Sequence, residues 1–373
     1  STSTIGKVSG HGVGVLIEDI LIDNNKLMDL DYTASSTGNG IIGLVLKGNT
    51  FNAGNLDYTK DITVGNTEAS NSGLKDYAVA LYTDAQQGTV SNNLIAGTEG
   101  VGLFAENGSI LTYSGTIDVG DGTTSGTAIY VGNTTTPSTV TLNGSTINLN
   151  GTSGVGAIVT NGSTFTFDAA STMNFYGDGV AMYGIGGSNI IDNGGTVNGN
   201  GNAVERLRTQ GGRIDIVGNS VLEQKGILAH SVAGQVNVMP TATVNGINAT
   251  ADKVIGIYAE GNRTTATPAS GWYSPTLVAT ATPYEAINEG TIDFSNLNNT
   301  AAMYLDSARG INTGTMKIGE EGVGIYGSYN TNTIALGGTV NQMEMLNAST
   351  GTIELAKKAI GMYGDETTAP GAY

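Results

Sequence analysis

The chain has 373 residues, of which 57 are glycine and none is cysteine; 39% are hydrophobic and only 13% charged. Lys and Arg number 15 against 32 Asp and Glu, and the formal net charge of -17 argues against the basic surface that nucleic acid or anionic lipid requires. No apolar run is long enough for a membrane-spanning helix, and two histidines without cysteine leave no zinc pattern.

The first predicted element ends at Leu16, and its phrase returns along the whole chain. It is clearest as Gly-Val-Gly-Leu-Phe at 100–104 and Gly-Val-Gly-Ile-Tyr at 322–326. Copies end at Leu16, Val45, Tyr82, Phe104, Tyr130, Ile158, Tyr183, Glu205, His230, Tyr258, Tyr304, Tyr326 and Tyr363. Nine of the twelve gaps between them are 22 to 29 residues, enough for one coil of three short strands with turns. Each phrase has four slots. The second from the end is apolar in every copy, as in Leu103, Ile129 and Ile325, and residues two apart on a strand share a face. Both that slot and the one two before it are therefore expected to point into a core. The slot between them is Gly or Ala except at Leu228, which implies a bend in the backbone or a neighbouring ring lying over it. The last slot carries seven Tyr and one Phe but also Glu205 and His230, so it is expected to face outward.

A second phrase, Gly-Thr-Ile with alternating apolar residues, runs at 115–119, 290–294, 314–318 and 351–355, with relatives at 145–149, 195–197 and 212–216. It predicts a second strand per coil, half-buried. Asn-Gly pairs such as Asn107-Gly108, Asn143-Gly144 and Asn161-Gly162 supply corners; those three also match the Asn-x-Ser glycosylation pattern, and their regular placement favours the turn. Only 203–208 and 342–346 have a composition that suits a single helical turn. The longest gap holds the stretch 260–289, with Pro268, Pro275, Pro283 and the single Trp. It breaks the repeat and predicts an inserted loop. Within it Arg263, Trp272, Tyr273 and Tyr284 are the candidate binding residues: rigid aromatic area beside a guanidinium. The expected fold is all-β, a right-handed parallel β-helix of about thirteen or more coils forming a single domain over 1–373, with loop insertions.

Catalytic chemistry has little to stand on. Glu205, His230, Arg206 and Arg208 compose the one patch with acid–base groups, and a surface ladder pair accounts for it more simply. No calcium repeat, EF-hand or phosphate loop is present. No enzyme, metal or cofactor is expected.

Gly-Val-Gly-Ile-Tyr-Gly at 322–327, Ala-Ile-Gly-Met-Tyr-Gly at 359–364 and the Gly-Thr-Ile-x-Leu units resemble the passenger of large fusobacterial-type autotransporter adhesins. The resemblance covers nearly the whole chain and is one of fold-level repeats. It implies export by the type V route and display on the outer membrane of a Gram-negative bacterium. The implied role is attachment to protein or glycan receptors on host cells or other bacteria, as a monomer anchored through a C-terminal translocator barrel. Neither a signal peptide nor that barrel is recognisable here, so the sequence reads as a passenger fragment. A stalk that holds a distal tip away from the cell is the alternative, and a polysaccharide-degrading β-helix a more distant one.

Overall fold

The computed structural model describes residues 12–18, 34–35, 41–48, 61–69, 75–76, 78–200, 202–222, 226–246, 254–261, 285–329 and 344–366. The described residues contain no helix, and apart from the short antiparallel pair Glu68–Ala69 and Lys75–Asp76 their strands form parallel ladders wound as a parallel β-helix. The chain divides into two compact units, one of 1–183 with 195–204 and one of 184–194 with 205–373.

In the first unit, from Val79 onward, each coil contributes one strand to each of three columns. One coil reads Val101–Glu106, Ile110–Tyr113 and Thr116–Val119. The next reads Thr127–Val131, Thr139–Leu142 and Thr146–Leu149. Equivalent strands pair in parallel and in register: Leu103 opposite Ile129, Leu111 opposite Val140, Ile117 opposite Ile147. All six are buried, so like stacks on like in the interior. The second unit repeats the plan, as in Ala301–Asp306, Arg309–Asn312 and Thr315–Ile318, with Ile257, Met303 and Ile325 stacked and fully buried.

The small slot acquires its reason here. In Val101–Glu106, residues 101, 102 and 103 are all buried, which breaks the alternation of a flat strand. The ladder pairs Val101 with Thr127 and Leu103 with Ile129 but skips Gly102, so the strand bends there. A Cβ on Gly102 would overlap Ile117 Cγ2 in the third column and lie 2.7 Å from the Ala128 carbonyl in the next coil. Gly156 meets Met173 and the Ala181 carbonyl in the same way. At Gly102 and Gly156 the slot faces inward at a point where there is no room for a side chain. The slot two before the apolar one lies at the margin: Val101 is buried, whereas Thr127, Val180 and Ile255 are half-buried.

Three local expectations need correction. The stretch 203–208 is no helical turn but part of the strand Val204–Gln210, and 342–346 overlaps the strand Glu344–Asn347. The phrase copy set at Val204-Glu205 is displaced by three residues, since Leu207 pairs with Ala229 and Arg208 with His230. The phrase at 212–216 belongs to the second column, where Arg213–Ile216 pairs with Asn189–Asp192 and Gln235–Val238, rather than to the third. For the two phrases, the bend and the variable corners uncouple spacing in sequence from position in the coil.

The corners behave as expected. Asn107 and Gly108 have φ of 55° and 82°, Asn161 and Gly162 of 53° and 73°, values that Asn and Gly tolerate best. The serines of the Asn-Gly-Ser triplets are buried and used internally. Ser109 Oγ accepts from the Gln86 amide at 3.1 Å, and Ser163 Oγ from that of Ser138 at 3.0 Å. Corner geometry accounts for the pattern.

Candidate functional site

The outward slot of the first column carries stacked rings. In the first unit Tyr82, Phe104 and Tyr130 have centroids 5.4 and 4.7 Å apart and nearly parallel planes. In the second, His230 lies 4.4 Å from Tyr258 and parallel to it within 3°. Tyr304 meets Tyr258 edge-on at 4.9 Å, and Tyr304, Tyr326 and Tyr363 continue the stack at 4.8 and 5.5 Å. Parallel pairing in register sets the spacing, because equivalent positions of neighbouring coils lie one strand separation apart. Most ring faces therefore cover each other, and edges and hydroxyls face outward. Two hydroxyls are held by carboxylates: Tyr82 donates to Glu106, and Tyr326 to Asp365 at 3.2 Å. Burial first, then the bonded carboxylate, pushes the Tyr82 hydroxyl well up and that of Tyr326 to about 12.

The acid–base patch assembles at the end of the second stack. His230 Nδ1 lies 3.4 Å from Glu205 Oε1, and Nε2 lies 3.3 Å from Glu260 Oε2. Arg208 Nη1 reaches Glu205 Oε2 at 3.4 Å. The imidazole is only 12% exposed, as is Glu260. Burial alone would lower the pKa of His230. Its hydrogen bonds to Glu205 and Glu260 and the charge of Glu205 outweigh that and the opposing charge of Arg208, so the net shift is upward. A proton-transfer role is poorly served: both nitrogens are engaged and one face is stacked. The group is a clasp across three successive strands, Val204–Gln210, Gly226–Val232 and Val254–Glu260.

Arg206 does not belong to this patch, contrary to the grouping drawn from sequence. It turns into the interior, where its Nε and Nη2 donate to the two Asp192 oxygens at 2.7 and 3.0 Å. The Ser220 hydroxyl also donates to Asp192, at 2.7 Å, and all three residues are buried. The displaced phrase hid this. Aligned on Leu207-Arg208, Arg206 falls in the small slot, next to Leu228 of the following coil, and these are the two large residues found there.

Arg263, Trp272, Tyr273 and Tyr284 lie outside the described residues. Of the stretch 260–289, Glu260 closes the first-column strand Val254–Glu260 and Glu285–Asn288 is a second-column strand, so both ends of the expected insertion are coil. The described residues include no group of three or more His, Cys, Asp or Glu placed to hold a metal ion, and no helix long and apolar enough to cross a membrane. No family model, curated protein or solved structure matches the protein.

Proposed function

We propose that the protein is a surface-displayed adhesin segment of a bacterial autotransporter passenger, binding protein or glycan on host or bacterial surfaces. The observation that carries it is the pair of half-exposed aromatic strips, each on the outward face of a parallel β-helix and edged by carboxylates such as Glu106 and Asp365. Ring edges with polar tips suit contact with partners that are partly apolar and partly hydroxylated. The acidic balance of the sequence directs it toward neutral or basic partners rather than anionic ones. Attachment to the outer membrane, in this proposal, is through a C-terminal translocator barrel.

A stalk is the second reading. The ring-on-ring stacking favours it, because rings whose faces cover one another stabilise coils without needing a partner. A glycan-array and receptor screen with the intact protein separates the two. Saturable binding that weakens in Tyr304→Ala is expected of the adhesin, and binding to none of the probes leaves the stalk. Turnover of a polysaccharide would overturn both.

A further inference from the structure

The sequence contains nine Asn-Gly pairs. Asn39 lies outside the described residues; of the others, Asn107, Asn143, Asn161, Asn193 and Asn200 have exposed side chains. Four of these five are tied down. Asn107 donates its amide to Asp84 at 2.7 Å, and the Gly108 N–H donates to Ser138 Oγ at 3.1 Å. The Gly144 N–H, after Asn143, faces the Asp168 carboxylate at 3.3 Å. The Gly194 N–H, after Asn193, donates to Asp192 Oδ1 at 3.1 Å. Asn200 donates its amide to the Phe175 carbonyl at 2.9 Å. At Asn161-Gly162 neither the side-chain amide nor the glycine N–H makes a hydrogen bond among the described residues. The nearest atom to a Cβ built on Gly162 is Pro137 Cγ, 3.6 Å away.

We propose that Asn161 is a self-modifying site, converting spontaneously to aspartate and isoaspartate through a cyclic imide with Gly162. Solvent hydroxide removes the Gly162 amide proton, and the nitrogen attacks Cγ of Asn161. A new bond from the Gly162 nitrogen to Cγ closes a five-membered ring, the bond from Cγ to Nδ2 breaks, and ammonia leaves. Water then adds to either ring carbonyl and opens the imide to a carboxylate. Nothing is oxidised or reduced, and water and hydroxide are the only co-reactants. Glycine matters because a larger residue at 162 would crowd the attacking nitrogen. Hydrogen bonding matters twice: an N–H held by an acceptor gives up its proton less readily, and a laced turn opens less often to the extended geometry that attack requires.

Two corners of the same design give an internal comparison. Both are closed by one backbone bond, Ser109 N–H to the Glu106 carbonyl at 3.2 Å and Ser163 N–H to the Thr160 carbonyl at 3.0 Å. The corner at 107 adds its two bonds to Asp84 and Ser138 and a third from the Asn107 N–H to Thr134 Oγ1 at 3.1 Å. At the corner at 161 the flanking Thr160 and Ser163 hydroxyls bond to Gly132 and Ser138, but Asn161 and Gly162 themselves add none. The product places a new carboxylate, or a lengthened backbone, on an exposed corner of a protein that is already acidic.

The folded, intact protein is incubated in mildly alkaline buffer and its peptides are mapped by mass spectrometry, with isoaspartate labelled enzymatically. Asn161 is expected to convert several-fold faster than Asn107 and Asn143, while in urea the three convert at comparable rates. Asn107 or Asn143 keeping pace with Asn161 in the folded protein would overturn the proposal. A second variant tests the cause: Asp84→Ala combined with Ser138→Ala is expected to raise the rate at Asn107 toward that at Asn161. An unchanged rate in that folded variant would show that these bonds do not protect the corner.

Discussion

Both nitrogens of His230 face a carboxylate, and the consequence is a stability that varies with pH. A folded pKa raised above the unfolded value of about 6.5 means a contribution fully present below that pH and lost as pH rises through the folded value. The difference in melting temperature between the parent and His230→Gln is therefore expected to be largest in mild acid and to shrink above neutrality. Glu260→Gln should flatten that profile, and a difference independent of pH would count against the clasp. At Asp192 and Arg206 the expectation differs, because the pair is inside. Arg206→Met alone leaves a buried carboxylate with no cationic partner, only the Ser220 hydroxyl and the Gly194 N–H as donors, and should cost about 3–5 kcal/mol. Arg206→Met with Asp192→Leu should recover most of the loss, as measured by denaturant midpoints in a double-mutant cycle.

At the scale of the element, the first-column strand depends on its bend. Gly102→Val drives a side chain into Ile117 and the Ala128 carbonyl, and overpacking of this kind costs about 1–3 kcal/mol. Thermal melts of the variant check this, and an unchanged midpoint would mean that the slot has room for a side chain. The outward slot of the same strand gains from stacking: Phe104→Ala removes two ring contacts, each worth about 0.5–1.5 kcal/mol beyond the area buried.

Over the whole molecule, 32 acidic residues face 15 basic ones. Self-repulsion of that excess opposes compaction, and salt screens it over a Debye length that falls from about 30 Å at 0.01 M to about 8 Å at 0.15 M. The melting temperature is expected to rise across that range of ionic strength. A fall would mean that ion pairs such as Arg309 with Glu285 and Glu344 contribute more than the net charge removes. Solenoid stability is a sum over coils and their neighbours, so the effect should be spread along the molecule rather than set by one contact.

The coil was legible in the residues alone. A phrase returning at 22 to 29 residues, with Leu103, Ile129 and Ile325 in one slot, specifies stacked parallel strands because only a repeating interior needs a repeating apolar residue. The Asn-Gly corners and the outward rings were legible in the same way. Which residues meet across coils was not. Corner lengths vary, so Glu260 reaches His230 across 30 residues while Asp192 reaches Arg206 across 14. Alternation of apolar and polar positions assigns a face only while the strand is straight, and the bend at the small slot lets Arg206 and its neighbour Leu207 both turn inward. The two corners at Asn107 and Asn161 are alike in sequence, and only the neighbouring coils decide that one is laced by hydrogen bonds and the other is open to water.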